Sequence, residues 1–188
     1  MPADNPCLIL QTLDARLDHD VELTLIGKSA LWLGFDDVPT AYGVTQDVDT
    51  VVPAQQSEQM NDDLAFWDAL TAANGELQPL GIYLTHIFEE WQIIMRRDWF
   101  VHRVPIRRPV LKHLQLFRPA TLDLILSKMM RGDDPQHMDE IRWMIGHENI
   151  SVYELEAAFA SAHVPDDADV LSSFDTAKPL VLAMATKP

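Results

Sequence analysis

The sequence predicts an α/β (α+β) protein: a mixed sheet flanked by helices over residues 1–118, then a C-terminal helical bundle over residues 119–188. Three observations carry this prediction. Residues 21–26 and 46–52 are short runs rich in Leu, Ile, Thr and Val, separated by a small helix-like piece. Residues 82–115 keep the periodicity of short strands. After Pro119 the apolar residues recur at helical spacing.

Taken in order, residues 8–17 form an amphipathic helix with Leu10, Leu13 and Leu17 on one face. The strand at 21–26 turns at Gly27 into a helix at 29–33. Residues 34–43, with Pro39, form a loop, and the strand at 46–52 stops at Pro53. Ser57 reads as the N-cap of a helix to Asn74, with Met60, Leu64 and Trp67 at helical spacing. Residues 82–87, 91–95, 100–105 and 110–115 read as strands. Leu122, Ile125, Leu126 and Met129 form one helical stripe; Met138, Ile141 and Ile145 form another. Ser151 and Glu154 have the spacing of a capping box, opening a helix with Val152, Leu155 and Phe159. A last helix or tail follows from Asp166, with Pro179 as a break. No internal repeat is present.

At 188 residues the chain forms one large domain or two small ones, and 47% apolar with 23% charged residues is ordinary for a folded domain. The net charge of −15 disfavours non-specific binding to nucleic-acid backbones. The charge is uneven. Residues 96–118 hold Arg96, Arg97, Arg103, Arg107, Arg108, Lys112 and Arg118 against a single acid, Asp98. Such a segment lines a pocket for a phosphorylated ligand, docks an acidic partner, or serves as a solvated face and a source of internal salt bridges. No apolar run reaches the roughly 18 residues of a membrane span, and the N-terminus lacks the basic start of a secretory signal. The single cysteine, Cys7, fits a reducing cytoplasm and reads as a core or flank residue rather than a nucleophile.

The chemistry concentrates in two short stretches. Asp47 and Asp49 alternate along a strand, so they share a face. Two carboxylates that close repel each other unless a cation lies between them, and Mg2+ is the usual oxygen-ligated one. The alternative is an exposed strand edge with alternating acids. Upstream, Gly27-Lys28-Ser29-Ala30-Leu31 forms a turn between strand and helix.

A strand, a glycine turn into a helix, and a strand bearing Asp-x-Asp resemble the core of the polymerase-β-type nucleotidyltransferases. More narrowly, the chain is similar to small bacterial nucleotidyltransferases that include abortive-infection and toxin–antitoxin toxins. The matching stretches are residues 27–31, then Gly43-Val44-Thr45-Gln46-Asp47-Val48-Asp49, then Lys128 with Arg131, and His137 with Glu140 and Ile141. The resemblance implies transfer of a nucleotidyl group from a nucleoside triphosphate to an acceptor, which is a tRNA, a protein hydroxyl or a small molecule. It implies Mg2+ on Asp47 and Asp49, and nucleotide contacts from Gly27, Lys28, Ser29, Thr45, Lys128 and Arg131. For the family's third carboxylate Glu89 and Glu90 are nearest and Asp98 is another; Glu90 is carried as the candidate catalytic acid. The chain also departs from the family's pattern. Lys28 replaces a small residue, Gly43 stands where an arginine is usual, and His137 and Glu140 stand where aspartates are expected. The alternative is therefore a degraded member of the fold that acts as a binding or regulatory partner of another protein.

Overall fold

β1 (Val21–Ile26) is the middle strand of a five-stranded mixed sheet in the computed structural model, which describes residues 4–185. β2 (Asp47–Val52) pairs antiparallel with it on one side and β6 (Leu114–Arg118) pairs parallel on the other. β3 (Tyr83–Glu89) runs parallel to β2, and β5 (Val104–Ile106) antiparallel to β6, giving the order β3-β2-β1-β6-β5. Every residue of β1 except Glu22 is buried, as expected of a central strand covered on both faces. The first two expected strands are thus present and adjacent.

The helices α1 (Asn5–Asp14), α2 (Gly27–Gly34), α3 (Ala54–Asp62) and α4 (Leu64–Leu77) accompany this sheet. α1 begins earlier than the leucine spacing indicates, because Asp4 caps the Cys7 N–H and Pro6 suits the first turn. The helix expected over 57–74 is two. α3 stops at Asp62, and Asp63 opens α4 by accepting from the Phe66 N–H at 2.9 Å. Ser57 is not a cap; its hydroxyl donates to the Glu89 carboxylate.

The chain forms two compact units. The sheet unit comprises residues up to Glu89 together with Arg103–Arg118, and the helical unit comprises Glu90–His102 together with the chain from Pro119 onward. The single boundary expected at 118 is therefore accompanied by an earlier excursion. The strands expected at 91–95 and 100–105 are replaced by β4 (Met95–Arg96), a 3-10 turn at Trp99–His102, and β5. β4 pairs with β7 (Ala162–His163) of the helical unit. The strand expected at 110–115 begins at Leu114, after a loop carrying Pro109. Ile93, Met95 and Trp99 are buried, and all three lie in the helical unit.

The helical unit contains α5 (Thr121–Lys128), α6 (Pro135–Glu148), α7 (Val152–Ser161) and α8 (Ala168–Met184). The capping box is present: the Ser151 hydroxyl accepts from the Glu154 N–H, and the Glu154 carboxylate accepts from the Ser151 N–H. Pro179 lies inside α8 rather than breaking it. It sits on the exposed side, while Phe174, Ala177 and Val181 form the buried stripe. Asp123 is 0% exposed and accepts from the Arg96 main-chain N–H at 2.9 Å and from its guanidinium at 2.7 and 3.1 Å, which fastens β4 to α5.

In the sheet unit the equivalent fastening is Asp14, the last residue of α1. Its buried carboxylate accepts from the main-chain N–H groups of Lys112, His113 and Leu114 at 2.8–2.9 Å. Burial pushes this carboxyl up, but the three N–H donors more than offset it and hold it below the ordinary range. A carboxyl depressed on folding stabilises the fold above its unfolded value, and that stability is lost as pH falls through the folded value. We expect Asp14→Asn to destabilise the sheet unit by about 1–3 kcal/mol near neutral pH. In acid titrations followed by circular dichroism, the gap between variant and parent should narrow as pH drops below the ordinary aspartate value.

Candidate active site

The register of β1 with β2 sets Ile26 opposite Asp49, so the chain leaves β1 beside that carboxylate. It turns at Gly27 with φ of 68°, a left-handed conformation that glycine adopts without steric penalty. A Cβ at Gly27 would lie 3.7 Å from Asp49 Oδ2, so turn and carboxylate share one small space. α2 starts there with no side-chain cap, leaving its first-turn N–H groups for another acceptor.

Both acids are partly exposed, with Val48 buried between them. Each is held by hydrogen bonds from its neighbours. Asp47 Oδ1 accepts from the Thr45 hydroxyl at 2.8 Å. Asp49 Oδ1 accepts from the Thr85 hydroxyl at 2.9 Å and is bonded to His86 Nδ1 at 3.0 Å. Two residues reach one carboxylate because the β2–β3 register shifts. Asp47 faces Tyr83 and Asp49 faces His86, so two steps along β2 match three along β3. The His86 ring also stacks on Phe88 at 5.2 Å. Neither Thr85 nor His86 was flagged by the sequence, in which neither the neighbour of β2 nor a bulge is visible.

The other expected site residues fall into three groups. Ser29 and Thr45 are buried and shape the site from within. The Ser29 hydroxyl donates to the Ile26 carbonyl at 3.0 Å, and Thr45 holds Asp47. Lys28 is half-buried in the first turn of α2 and makes no ion pair among the described residues. Glu90, Lys128 and Arg131 belong to the helical unit. Within it, the Glu90 carboxylate accepts from the Trp99 indole N–H at 3.1 Å, and Arg131 is exposed in the turn after α5. The strand beside Asp49 thus brings it a threonine and a histidine rather than the expected third carboxylate. Glycine stands at 43 for a packing reason: a Cβ there would lie 2.8 Å from the Trp32 ring.

Much of the basic segment is committed internally. Arg103 donates to the Thr24 hydroxyl at 3.0 Å and to Glu22 at 3.2 Å, and lies 4.3 Å over the Phe117 ring. Arg108 donates to the carbonyls of Trp32 and Phe35, and Arg118 to that of Gly34. Burial, then the hydrogen bond and charge of Asp4, push the Cys7 thiol up to about 12, which disfavours the thiolate.

Among the described residues, no group of three or more His, Cys, Asp or Glu side chains is placed to hold a metal ion. Magnesium is commonly held by one or two carboxylates while substrate phosphates and waters complete its shell, and Asp47 and Asp49 fit that donor set. No helix among the described residues is long and apolar enough to cross a membrane. Compared with known proteins, the chain matches no family model, no curated protein and no solved structure.

Lys128 is 3% exposed and its ammonium is ion-paired with Glu140, itself 1% exposed. A contact between Lys128 and a triphosphate would require breaking that pair. Nearby, burial first and then the Lys128 charge lower the His137 imidazole from its ordinary value, and its Nδ1 lies 3.3 Å from the Lys128 carbonyl. Removing one partner of a buried pair strands the other's charge. We expect Lys128→Ala to destabilise the helical unit by about 3–5 kcal/mol. Lys128→Met with Glu140→Leu should recover most of that loss in thermal or urea unfolding.

Proposed function

We propose that this chain is a magnesium-dependent nucleotidyltransferase acting from a nucleoside triphosphate on an acceptor hydroxyl. The observation that carries the reading is the meeting of the left-handed Gly27 turn, the uncapped start of α2 and the Asp49 carboxylate in one place. The first-turn N–H groups of α2 are suited to phosphate oxygens, and the absence of a side chain at Gly27 lets the backbone approach them. Asp47 and Asp49 would hold Mg2+, which when bound neutralises charge on the triphosphate. Thr45, Thr85 and His86 keep the two carboxylates in position, and Lys28 adds a cation at the first turn. In the reaction the acceptor oxygen bonds to the α-phosphorus and gives up its proton to solvent, the bond from that phosphorus to the oxygen bridging to the β-phosphorus breaks, and pyrophosphate leaves.

A second reading has its own observation. The residue opposite Asp49 is His86, and the Lys128 ammonium is held by Glu140. A protein that retains triphosphate binding without transfer, acting as a regulatory partner, has this arrangement too.

Thermal shift with Mg2+ and each nucleoside triphosphate tests the binding step. A ligand at about 100 times its Kd adds roughly 2.7 kcal/mol to the native state, or about 5–10 °C for a chain of this size. The shift should vanish in Asp47→Asn/Asp49→Asn, whose own Tm should stay within about 2 °C of the parent because partly exposed acids add little stability. No shift with any triphosphate would end the reading. Binding without labelled product in cell extract would favour the regulatory partner.

A further inference from the structure

The helical unit has a concave site with a different chemistry. On β4 and β7, Met95 pairs with His163 and Arg96 with Ala162, and the Arg97 N–H donates to the Ser161 carbonyl at 3.2 Å. Arg97 follows β4 directly, and Met95, Arg97 and His163 line the same cleft. Arg96 also borders the cleft, but its guanidinium is committed to Asp123. Arg97 and His163 border a cleft of about 290 Å³. Ile93, Met95 and Trp99 are its buried lining, Trp91 is 61% exposed at it, and the Glu90 carboxylate that holds the Trp99 indole completes it.

We propose that this cleft binds a free 5′-nucleotide whose base carries an exocyclic amine. An exposed indole beside an apolar lining is a surface for stacking a flat ring. The cleft is at the small end of ligand sites, which run roughly 300–1,000 Å³, and so holds one nucleoside-sized group. Arg97 makes no ion pair among the described residues, and its planar fork matches phosphate oxygens; the His163 imidazole can add an N–H donor. A carboxylate only accepts hydrogen bonds, so Glu90 receives an amine and repels a ring carbonyl. The two ends of the ligand are thereby distinguished, amine toward Glu90 and phosphate toward Arg97. A net charge of −15 favours a free nucleotide over a polyanionic strand. This site uses neither the aspartates nor magnesium, and it stands or falls apart from the transferase reading.

Isothermal titration calorimetry of the full chain without magnesium tests it, using AMP, GMP, CMP and UMP. At least one amine-bearing nucleotide should bind about tenfold or more tighter than UMP, and Glu90→Gln should narrow that preference. Trp91→Ala, at an exposed position, should weaken binding about tenfold or more. Arg97→Ala should weaken the nucleotide about tenfold while leaving the nucleoside unchanged. Absence of binding to all four at millimolar concentration overturns the proposal, as does binding insensitive to both Trp91→Ala and Arg97→Ala. A single-stranded ten-residue oligonucleotide binding more than about tenfold tighter than its mononucleotide overturns the assignment to a free nucleotide.

Discussion

Two buried aspartates that accept main-chain N–H groups hold together segments distant in sequence, and the rest of each unit is arranged around them. Asp14 gathers three consecutive N–H groups just ahead of β6, and β6 is then aligned parallel with β1. Asp123 takes the Arg96 N–H and guanidinium and so draws the excursion of residues 90–102 onto α5. A buried carboxylate is tolerated only when its oxygens are satisfied, and main-chain donors do this with fixed geometry. Each contact therefore converts an unfavourable burial into a constraint on chain path.

The same logic operates, less completely, at the end of β1. Asp47 and Asp49 lie on one strand and would repel each other, yet their Oδ1 atoms are occupied by threonine hydroxyls and an imidazole. Hydrogen bonds of this kind fix where each carboxylate sits on the strand. Asp49 Oδ2 is the atom turned to Gly27, where backbone and not side chain sets the boundary.

Charge in this protein is partitioned rather than averaged. Despite the net −15, Arg96, Arg103 and Arg118 are drawn inward to carboxylates, carbonyls and aromatic faces, and Arg108, though exposed, donates to two main-chain carbonyls. Arginine suits this because its guanidinium can donate in a plane and stack at once. The cationic segment that looks like a ligand surface in one dimension is largely a set of internal ties in three. Arg97 is different, since its neighbour Arg96 takes the inward-facing position on β4.

The sequence by itself determined the elements whose pattern is local. β1 and β2 were legible from their β-branched runs, α7 from its capping box, and the helices after Pro119 from their stripes. It also placed Gly27, Asp47 and Asp49 as a turn and an alternating pair, because strand periodicity is a property of a few residues. Only the tertiary structure decided that residues 90–102 join the helices, since apolar spacing states that a side chain is buried but not against what. It alone brought Thr85 and His86 to Asp49, because a register shift belongs to a pair of strands and to neither strand alone. It also turned Lys128 inward to Glu140, through the packing of α5 against α6, a choice that helical periodicity at a flank position leaves open.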